Sequence, residues 1–182
     1  MPLIYLVRHG QAAAGYSEDP DPGLDDLGRA QAEAASETLL TARPKRVLSS
    51  PLKRAQETAH PYAQAIGESV TLEPRVSEIP SPNLSVSERG AWLQGIMQGQ
   101  WSNQSEALQA WQASLVDVLK EAREDTVIFS HFVAINALVS AVTKDDQVLV
   151  FRPDNASITT FRQTNGELAL VAQGESRLTV VN

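Results

Sequence analysis

The sequence predicts an α/β fold, a three-layer α/β/α sandwich with a mixed, mostly parallel central sheet and an antiparallel edge strand. Short apolar runs alternate with segments of helical periodicity through residues 3–142, which is typical of strands joined by crossover helices. The following part, 147–172, instead alternates apolar and polar residues as strands do. Asn165-Gly166 lies within it and is a strong signal for a hairpin turn.

The first half of the chain is predicted to contain two strand–helix units and a third strand. Asp25 and Asp26 suit the positive end of a helix, and Pro51 suits a first helical turn, where its missing N–H is not needed. Gly67 predicts the end of the second helix. The predicted elements are a strand at 3–7, a helix from near 25 to about 40, a strand at 47–48, a helix from 51 to about 66 and a strand at 70–72.

The second half is predicted to begin with a loop and helices and to end in strands. Residues 126–129 form a continuous apolar run typical of a buried strand. The predicted elements are helices at 84–98, 104–122 and about 132–142, and strands at 126–129, 147–151, 156–163 and 168–172. The length of 182 residues suits one domain over 1–182, with a helical insert at about 79–122.

The composition narrows the class of protein. The formal net charge of −7 and the pI of about 4.9 work against non-specific binding to nucleic acid or to an anionic membrane. The absence of cysteine excludes disulfides, thiol nucleophiles and zinc–cysteine sites. Because neither a signal peptide nor an apolar run of the roughly 20 residues that span a bilayer is found, we expect a cytoplasmic protein.

Two histidines follow apolar strands. Arg8-His9-Gly10-Gln11 comes directly after the first strand, and Ser130-His131 comes directly after the strand at 126–129. If the two strands are parallel neighbours, both imidazoles emerge at the edge of the sheet where open α/β folds bind ligands. Either histidine alone is most simply a chance neighbour of a strand, but the pair favours a site.

Two further charged residues fit such a site. Arg54 falls in the first turn of the second helix, where free backbone N–H groups and the helix dipole already favour an anion. Its guanidinium adds a planar fork that matches phosphate oxygens. Glu78 begins a proline-containing loop after the third strand and could hold a carboxylate over the same place. Each residue by itself could equally be solvated.

Together these residues resemble the histidine phosphatase superfamily, also called phosphoglycerate-mutase-like. The resemblance rests on Arg8-His9-Gly10, the string 49–59 with Arg54, the Glu78 loop and the strand-borne His131, in that order. The string 23–32, GLDDLGRAQA, also resembles the first-helix signature of the family. The likeness extends from residue 3 to about residue 140.

The resemblance implies a phosphohistidine mechanism. His9 would be the nucleophile, and Arg8, Arg54 and His131 would form a cationic pocket around the transferring phosphoryl group. This suits phosphoryl transfer, in which catalysis is mostly positioning and electrostatic stabilisation. The resemblance implies no metal and no cofactor, and a phosphorylated small molecule or a phosphoprotein as substrate.

The resemblance also assigns a proton-transfer role to a carboxylate. Glu78 would protonate the leaving oxygen and then take a proton from water in the second half of the reaction. A general acid at neutral pH needs a raised pKa, which the two arginines oppose. Glu73 and Glu88 are the nearby competitors for this role.

Two departures from the family pattern bear on the substrate. Phe132 follows the second histidine where the family often has glycine, and it should narrow the pocket or make it more apolar. Ala12-Ala13-Ala14 occupies a loop that is usually more polar, so Gln11 and Ser17 are its candidates for substrate binding. In the insert, which would lie on the substrate side, we expect Trp111 to pack in the core. Trp92 and Trp101 suggest a lid.

The leading interpretation is a small, metal-independent phosphomonoesterase, because the mutases that the chain resembles are longer and enclose their substrate. The alternatives are a phosphohistidine protein phosphatase, a phosphoglycerate-mutase-type phosphotransferase and a non-catalytic phospholigand-binding protein. A metallohydrolase using His9 and His131 is disfavoured, because Arg8 and Arg54 would repel a cation.

Overall fold

Six strands and five α-helices make up the described part of the chain, residues 1–176 of a computed structural model. The strands are β1 (Leu3–Arg8), β2 (Arg46–Ser49), β3 (Val70–Leu72), β4 (Thr126–Ser130), β5 (Ile158–Thr164) and β6 (Glu167–Ala172). The helices are α1 (Asp26–Ala42), α2 (Lys53–Ile66), α3 (Val86–Met97), α4 (Glu106–Lys120) and α5 (Phe132–Thr143). Short 3₁₀ helices at Pro74–Val76 and Trp101–Asn103 interrupt the loops that were expected there.

The strands form one mixed sheet in the order β3-β2-β4-β1-β5-β6. The first four strands in this order are parallel, and β5 pairs antiparallel with both β1 and β6. Asn165 and Gly166 both adopt positive φ in the turn between β5 and β6, as a tight two-residue hairpin turn requires. The predicted fold class and the C-terminal hairpin are therefore confirmed.

Helices cover both faces of the sheet, which makes the three layers. Alternate strand residues enter two separate apolar clusters: Leu6 and Ile128 lie in the cluster with α3, α4 and α5, whereas Val7 and Phe129 lie in the cluster with α1 and α2. This is the period-two pattern of a strand buried on both sides. β4 is central and buried along its whole length, so the site at its end is held by a fully packed strand.

The loop after β1 is pressed against the first turn of α1. A Cβ added to Gly28 would lie 2.1 Å from the carbonyl oxygen of Gln11, and one added to Gly10 would lie 2.5 Å from the carbonyl oxygen of Gly28. Only glycine permits this approach of two backbones. Asp25 caps α1 through the N–H of Gly28 and also accepts from the Gln11 side-chain amide, so the helix start and the histidine loop are fixed together.

The prediction of a strand at 147–151 is wrong. This segment is irregular, with one isolated bridge between Gln147 and Gln100. Its backbone N–H groups at Val150 and Phe151 donate to the side-chain oxygen of the buried Asn136 in α5, at 2.8 and 3.0 Å. Val148 is buried beneath it. The apolar alternation therefore reflects burial against α5 and not pairing in the sheet.

No helix among residues 1–176 combines the length and the apolar character that crossing a lipid bilayer requires.

Candidate active site

The carboxyl ends of three parallel strands bring the predicted charged residues together. β1 and β4 are parallel neighbours with Arg8 opposite Ser130, so His9 and His131 leave the sheet side by side. The backbone N–H of His9 donates to the carbonyl of Ser130 at 3.0 Å, and the two imidazole centroids are 5.2 Å apart. Arg54, which enters from β2 in the first turn of α2, completes the group.

The two nitrogens of His9 have different roles. Nδ1 lies 2.7 Å from the carbonyl oxygen of Gly10, and a carbonyl can only accept, so Nδ1 carries the proton. Nε2 therefore has a free lone pair, which accepts from Nε of Arg54 at 3.1 Å. Burial, Arg54 and Arg8 together hold the pKa of His9 well below its usual 6.5. The side chain is thus a neutral base with its lone pair facing a cation.

Neighbours that the sequence analysis missed hold the histidine loop. The side-chain amide of Asn155 donates to the carbonyl of His9 at 3.1 Å. Thr58 accepts from the N–H of Gly10 and donates to the carbonyl of Arg54, which ties the loop to α2. Thr58 lies inside the 49–59 string, so its hydroxyl could have been singled out there. Nothing local marks Asn155, which comes from a loop far along the chain.

Arg8 is held by the loop after α5 and by an aromatic ring. Its Nη1 donates to the carbonyl of Pro153 at 2.8 Å, and its Cζ lies 5.1 Å from the ring centroid of Phe132. Burial lowers the pKa of Arg8 to about 10, which Glu78 and Asp154 partly oppose. Arg8 therefore stays charged at neutral pH, and its Nε has no hydrogen-bond partner within the described residues.

Glu78 lies over the N-terminus of α5. Its carboxylate accepts from the backbone N–H groups of Ile79, Val133 and Ala134 at 3.0 to 3.2 Å. Burial raises the pKa of Glu78 above its usual 4.5, although these N–H groups and Arg54 lower it. The pKa of this loop carboxylate is thus shifted upward, the direction that a general acid requires, in spite of the arginine.

The competing carboxylates lie elsewhere. Glu73 caps the 3₁₀ helix and pairs with Arg75, and Glu88 forms the capping box of α3 with Ser85. A cavity opens above His9 among the described residues, and neither of these two carboxylates lines it.

His131 is fully buried behind His9. Its Nε2 lies 2.8 Å from the hydroxyl of Ser50, whose oxygen already accepts from the N–H of Leu52. A hydroxyl oxygen can accept two hydrogen bonds, so this contact fits a neutral imidazole with its proton on either nitrogen. Nδ1 has no partner in the part of the chain that the structure describes. Burial, His9 and the two arginines lower the pKa of His131 well below 6.5.

A cavity of about 540 Å³ opens above His9. This volume lies in the range of small-molecule sites. Gln11, Ser17 and Phe132, the predicted substrate-binding residues, all line it, whereas His131 does not. The wall consists of Arg8, His9, Gln11, Ala12, Ala13, Ala14, Gly15, Tyr16, Ser17, Glu18, Asp19, Pro22, Asp25, Arg54, Glu78, Leu93, Phe132, Val133 and Asn155.

The prediction that Trp92 and Trp101 form a lid is wrong. Trp101 is buried in the core, where its ring centroid lies 6.1 Å from that of Trp111, and Trp92 packs against the same cluster. Successive helix residues point about 100° apart, so Leu93 reaches the cavity while its neighbour Trp92 does not. The expectation that Trp111 packs against the core is confirmed.

No group of three or more histidine, aspartate or glutamate side chains within residues 1–176 is placed to hold a metal ion.

Comparison with known families and proteins agrees with the geometry. The model of the histidine phosphatase superfamily (branch 1) matches residues 4–176. A glucosyl-3-phosphoglycerate phosphatase of Mycolicibacterium vanbaalenii is 37% identical over 79 residues, which cover 41% of this chain and about a third (35%) of that protein's length. A probable phosphoglycerate mutase GpmB of Enterobacter sp. is 29% identical over 161 residues, covering 76% of this chain and 74% of that protein.

Solved structures share the fold at low sequence identity. A mycobacterial glucosyl-3-phosphoglycerate phosphatase in complex with VO₃ superimposes with a TM-score of 0.77 at 24% identity, covering 97% of this chain and 100% of that one. A phosphoserine phosphatase from Entamoeba histolytica, in complex with 3-phosphoglyceric acid, has a TM-score of 0.77 at 21% identity, covering 97% and 98% of the two chains.

Proposed function

The chain belongs to the histidine phosphatase superfamily, and we propose that its site hydrolyses phosphate monoesters through a phosphohistidine on His9, without a metal ion. The observation that carries this proposal is the state of His9: a neutral imidazole whose Nε2 lone pair faces the guanidinium of Arg54. An anion that enters between them replaces the lone pair as the partner of Arg54 and meets the nucleophile at the same point. Phosphomonoester hydrolysis through a histidine is consistent with the phosphatases among the relatives.

In the first half-reaction, Nε2 of His9 attacks phosphorus, the N–P bond forms and the P–O bond to the leaving group breaks. Glu78 in its acid form gives its proton to the leaving oxygen, for which its raised pKa suits it. Arg8 and Arg54 stabilise the charge spread over the phosphoryl oxygens.

In the second half-reaction, water attacks the phosphohistidine. The Glu78 carboxylate takes one proton from this water, the N–P bond breaks, and inorganic phosphate leaves with His9 neutral again. The hydrogen bond from Nδ1 to the carbonyl of Gly10 holds the ring in the same tautomer throughout.

The first experiment is the hydrolysis of 4-nitrophenyl phosphate in excess EDTA by the wild type and by His9→Ala. We expect turnover in the wild type and none in the variant, with both proteins folded by circular dichroism. The matched control is His60→Ala, an exposed histidine on α2, which should keep wild-type turnover. Activity that EDTA abolishes, or that survives in His9→Ala, would overturn the proposal.

The chemical nature of the intermediate is a second test. Enzyme trapped by rapid denaturation should carry phosphate that is labile in acid and stable in base, as a phosphoramidate on His9 requires. The opposite stability would indicate an acyl phosphate or a serine ester instead.

A phosphotransferase is the second candidate, because the probable phosphoglycerate mutase aligns with most of this chain. Incubation of the native enzyme with 4-nitrophenyl phosphate and an excess of 3-phosphoglycerate distinguishes the two. We expect inorganic phosphate to be released, whereas a mutase would return the phosphoryl group to the acid.

A further inference from the structure

We infer that the substrate of this site is a phosphate monoester whose leaving group is partly apolar and carries no carboxylate or other anion. The inference rests on the proposed function and concerns the part of the cavity beyond His9. It comes from the charges and the side chains that this part of the wall presents.

The cations of the cavity wall are already used by the phosphoryl group. Arg8 and Arg54 are the only lysine or arginine residues in the wall formed by the described part of the chain. Arg54 faces Nε2 of His9, and Arg8 is held by the carbonyl of Pro153 beside the Phe132 ring. Once both contact a phosphate dianion, no positive side chain of the wall is left for a second anion on the substrate.

The outer wall is instead negative. Glu18, Asp19 and Asp25 line the cavity, and none of the three forms a salt bridge with a lysine or arginine among residues 1–176. Glu18 accepts from the N–H of Gly15, and Asp25 from Gly28 and Gln11, so these carboxylates are fixed in place. A carboxylate on the leaving group would have to approach these three carboxylates, and like charges repel each other.

The remaining wall has an apolar part beside the polar side chains of Gln11, Tyr16, Ser17 and Asn155. Ala12-Ala13-Ala14, Leu93, Phe132 and Val133 present no side-chain hydrogen-bonding group to the cavity. An alkyl or aryl part of the leaving group would pack against these side chains without leaving a polar group unpaired. Phe132 is therefore expected to contact the leaving group as well as the guanidinium of Arg8.

Arg89 on α3 is a cation near the cavity, and a contact between Arg89 and a substrate carboxylate would contradict the inference. Its Cζ lies 5.9 Å from the ring centroid of Tyr16, which lines the cavity, but Arg89 itself is not part of the wall. Its guanidinium therefore lies beside Tyr16 and outside the wall, and Arg89→Gln belongs in the test.

Phosphoethanolamine and O-phosphoserine form a matched pair for this test, because they differ only by the carboxylate. We expect kcat/KM for phosphoethanolamine to exceed that for phosphoserine by about tenfold or more. Glu18→Gln combined with Asp19→Asn should bring the ratio toward one. Glu167→Gln, which removes an exposed carboxylate on the edge strand β6, should leave the ratio unchanged.

The same pair is measured by calorimetric binding to His9→Ala, which needs no turnover. Tighter binding of phosphoethanolamine supports the inference even if no ester is hydrolysed, in which case only the proposed function fails. Equal or tighter binding of phosphoserine overturns the inference and leaves the proposed function intact. Selective loss of phosphoserine binding in Arg89→Gln would overturn it in favour of a carboxylate anchor at Arg89.

Discussion

At His9, two hydrogen bonds decide which atom can react. The carbonyl of Gly10 takes the proton of Nδ1, and Arg54 holds the lone pair of Nε2. Burial and the two neighbouring arginines disfavour a protonated imidazole, and this is why the pKa of His9 is low. The same two cations therefore keep the nucleophile neutral and attract its substrate.

Replacing Arg54 tests this double role. We expect Arg54→Ala to lower kcat/KM by about 10³-fold or more, comparable with arginines that stabilise phosphoryl-transfer transition states. Arg54→Lys keeps the charge but loses the planar fork, so it should recover only part of the rate. Steady-state kinetics with 4-nitrophenyl phosphate measures both variants, and a loss below about tenfold in Arg54→Ala would remove Arg54 from the site.

The raised pKa of Glu78 predicts how kcat/KM depends on pH and on the leaving group. Because burial raises its pKa, the acid form persists to higher pH than for an ordinary glutamate and is lost as pH rises through that pKa. We expect kcat/KM for an alkyl phosphate to fall on the alkaline side, and Glu78→Gln to remove that fall while lowering the rate by about 10² to 10⁴-fold.

A comparison of two substrates with different leaving groups is the control for Glu78→Gln. The leaving group of 4-nitrophenyl phosphate needs little protonation, so Glu78→Gln should lower its kcat/KM much less than that of phosphoethanolamine. Equal losses for both esters would assign Glu78 to positioning of α5 and not to proton transfer.

At the scale of elements, the site depends on the contact between the β1 loop and α1. Gly10 and Gly28 let the two backbones meet, and Asp25 then bonds to both segments. A glycine in the first turn of a helix is costly for the helix itself. Here the cost is offset by the packing that fixes the loop carrying His9.

We therefore expect Gly28→Ala to lower the free energy of unfolding by about 1 to 3 kcal/mol and to reduce kcat, because its Cβ would overlap the Gln11 carbonyl. Gly95→Ala in α3 is the control. Nothing lies within 4 Å of its added Cβ, so it should stabilise the protein by up to about 1 kcal/mol. Urea unfolding measures the free energy of unfolding of both variants. An unchanged free energy of unfolding in Gly28→Ala would contradict the packing argument.

At the scale of the whole molecule, two neutral histidines in the interior link stability to pH. The pKa values of His9 and His131 are lowered in the fold, whereas the unfolded chain takes up protons below about 6.5. Stability is therefore lost as pH falls below 6.5, by about 1.4 kcal/mol per pH unit for each histidine. Glu78, with a raised pKa, acts in the opposite direction.

Urea unfolding at several pH values between 7.5 and 5.0 tests this linkage. We expect His131→Gln to lose about half of the histidine-dependent slope, whatever its stability at pH 7.5. His60→Gln, at an exposed position of α2, should leave the slope unchanged. An identical slope in His131→Gln and the wild type would show that His131 is not held neutral in the fold.

Much of the fold and of the candidate site can be predicted from short stretches of the sequence. Apolar runs and turn residues determined β1, β4 and the hairpin at Asn165-Gly166, because their signals come from residues adjacent in the chain. The string around Arg54 and the two strand-borne histidines determined the family and the charged centre of the site. These features can be predicted from a single sequence because each depends on residues that lie close together in the chain.

Only the tertiary structure decided what joins distant segments. Val150 and Phe151 satisfy their N–H groups on Asn136 and so do not form the predicted strand. The support of His9 by Asn155 and the neutral, buried state of His131 likewise depend on long-range contacts. Burial, hydrogen-bond partners and pKa are properties of a three-dimensional environment, and no local pattern of residues contains them.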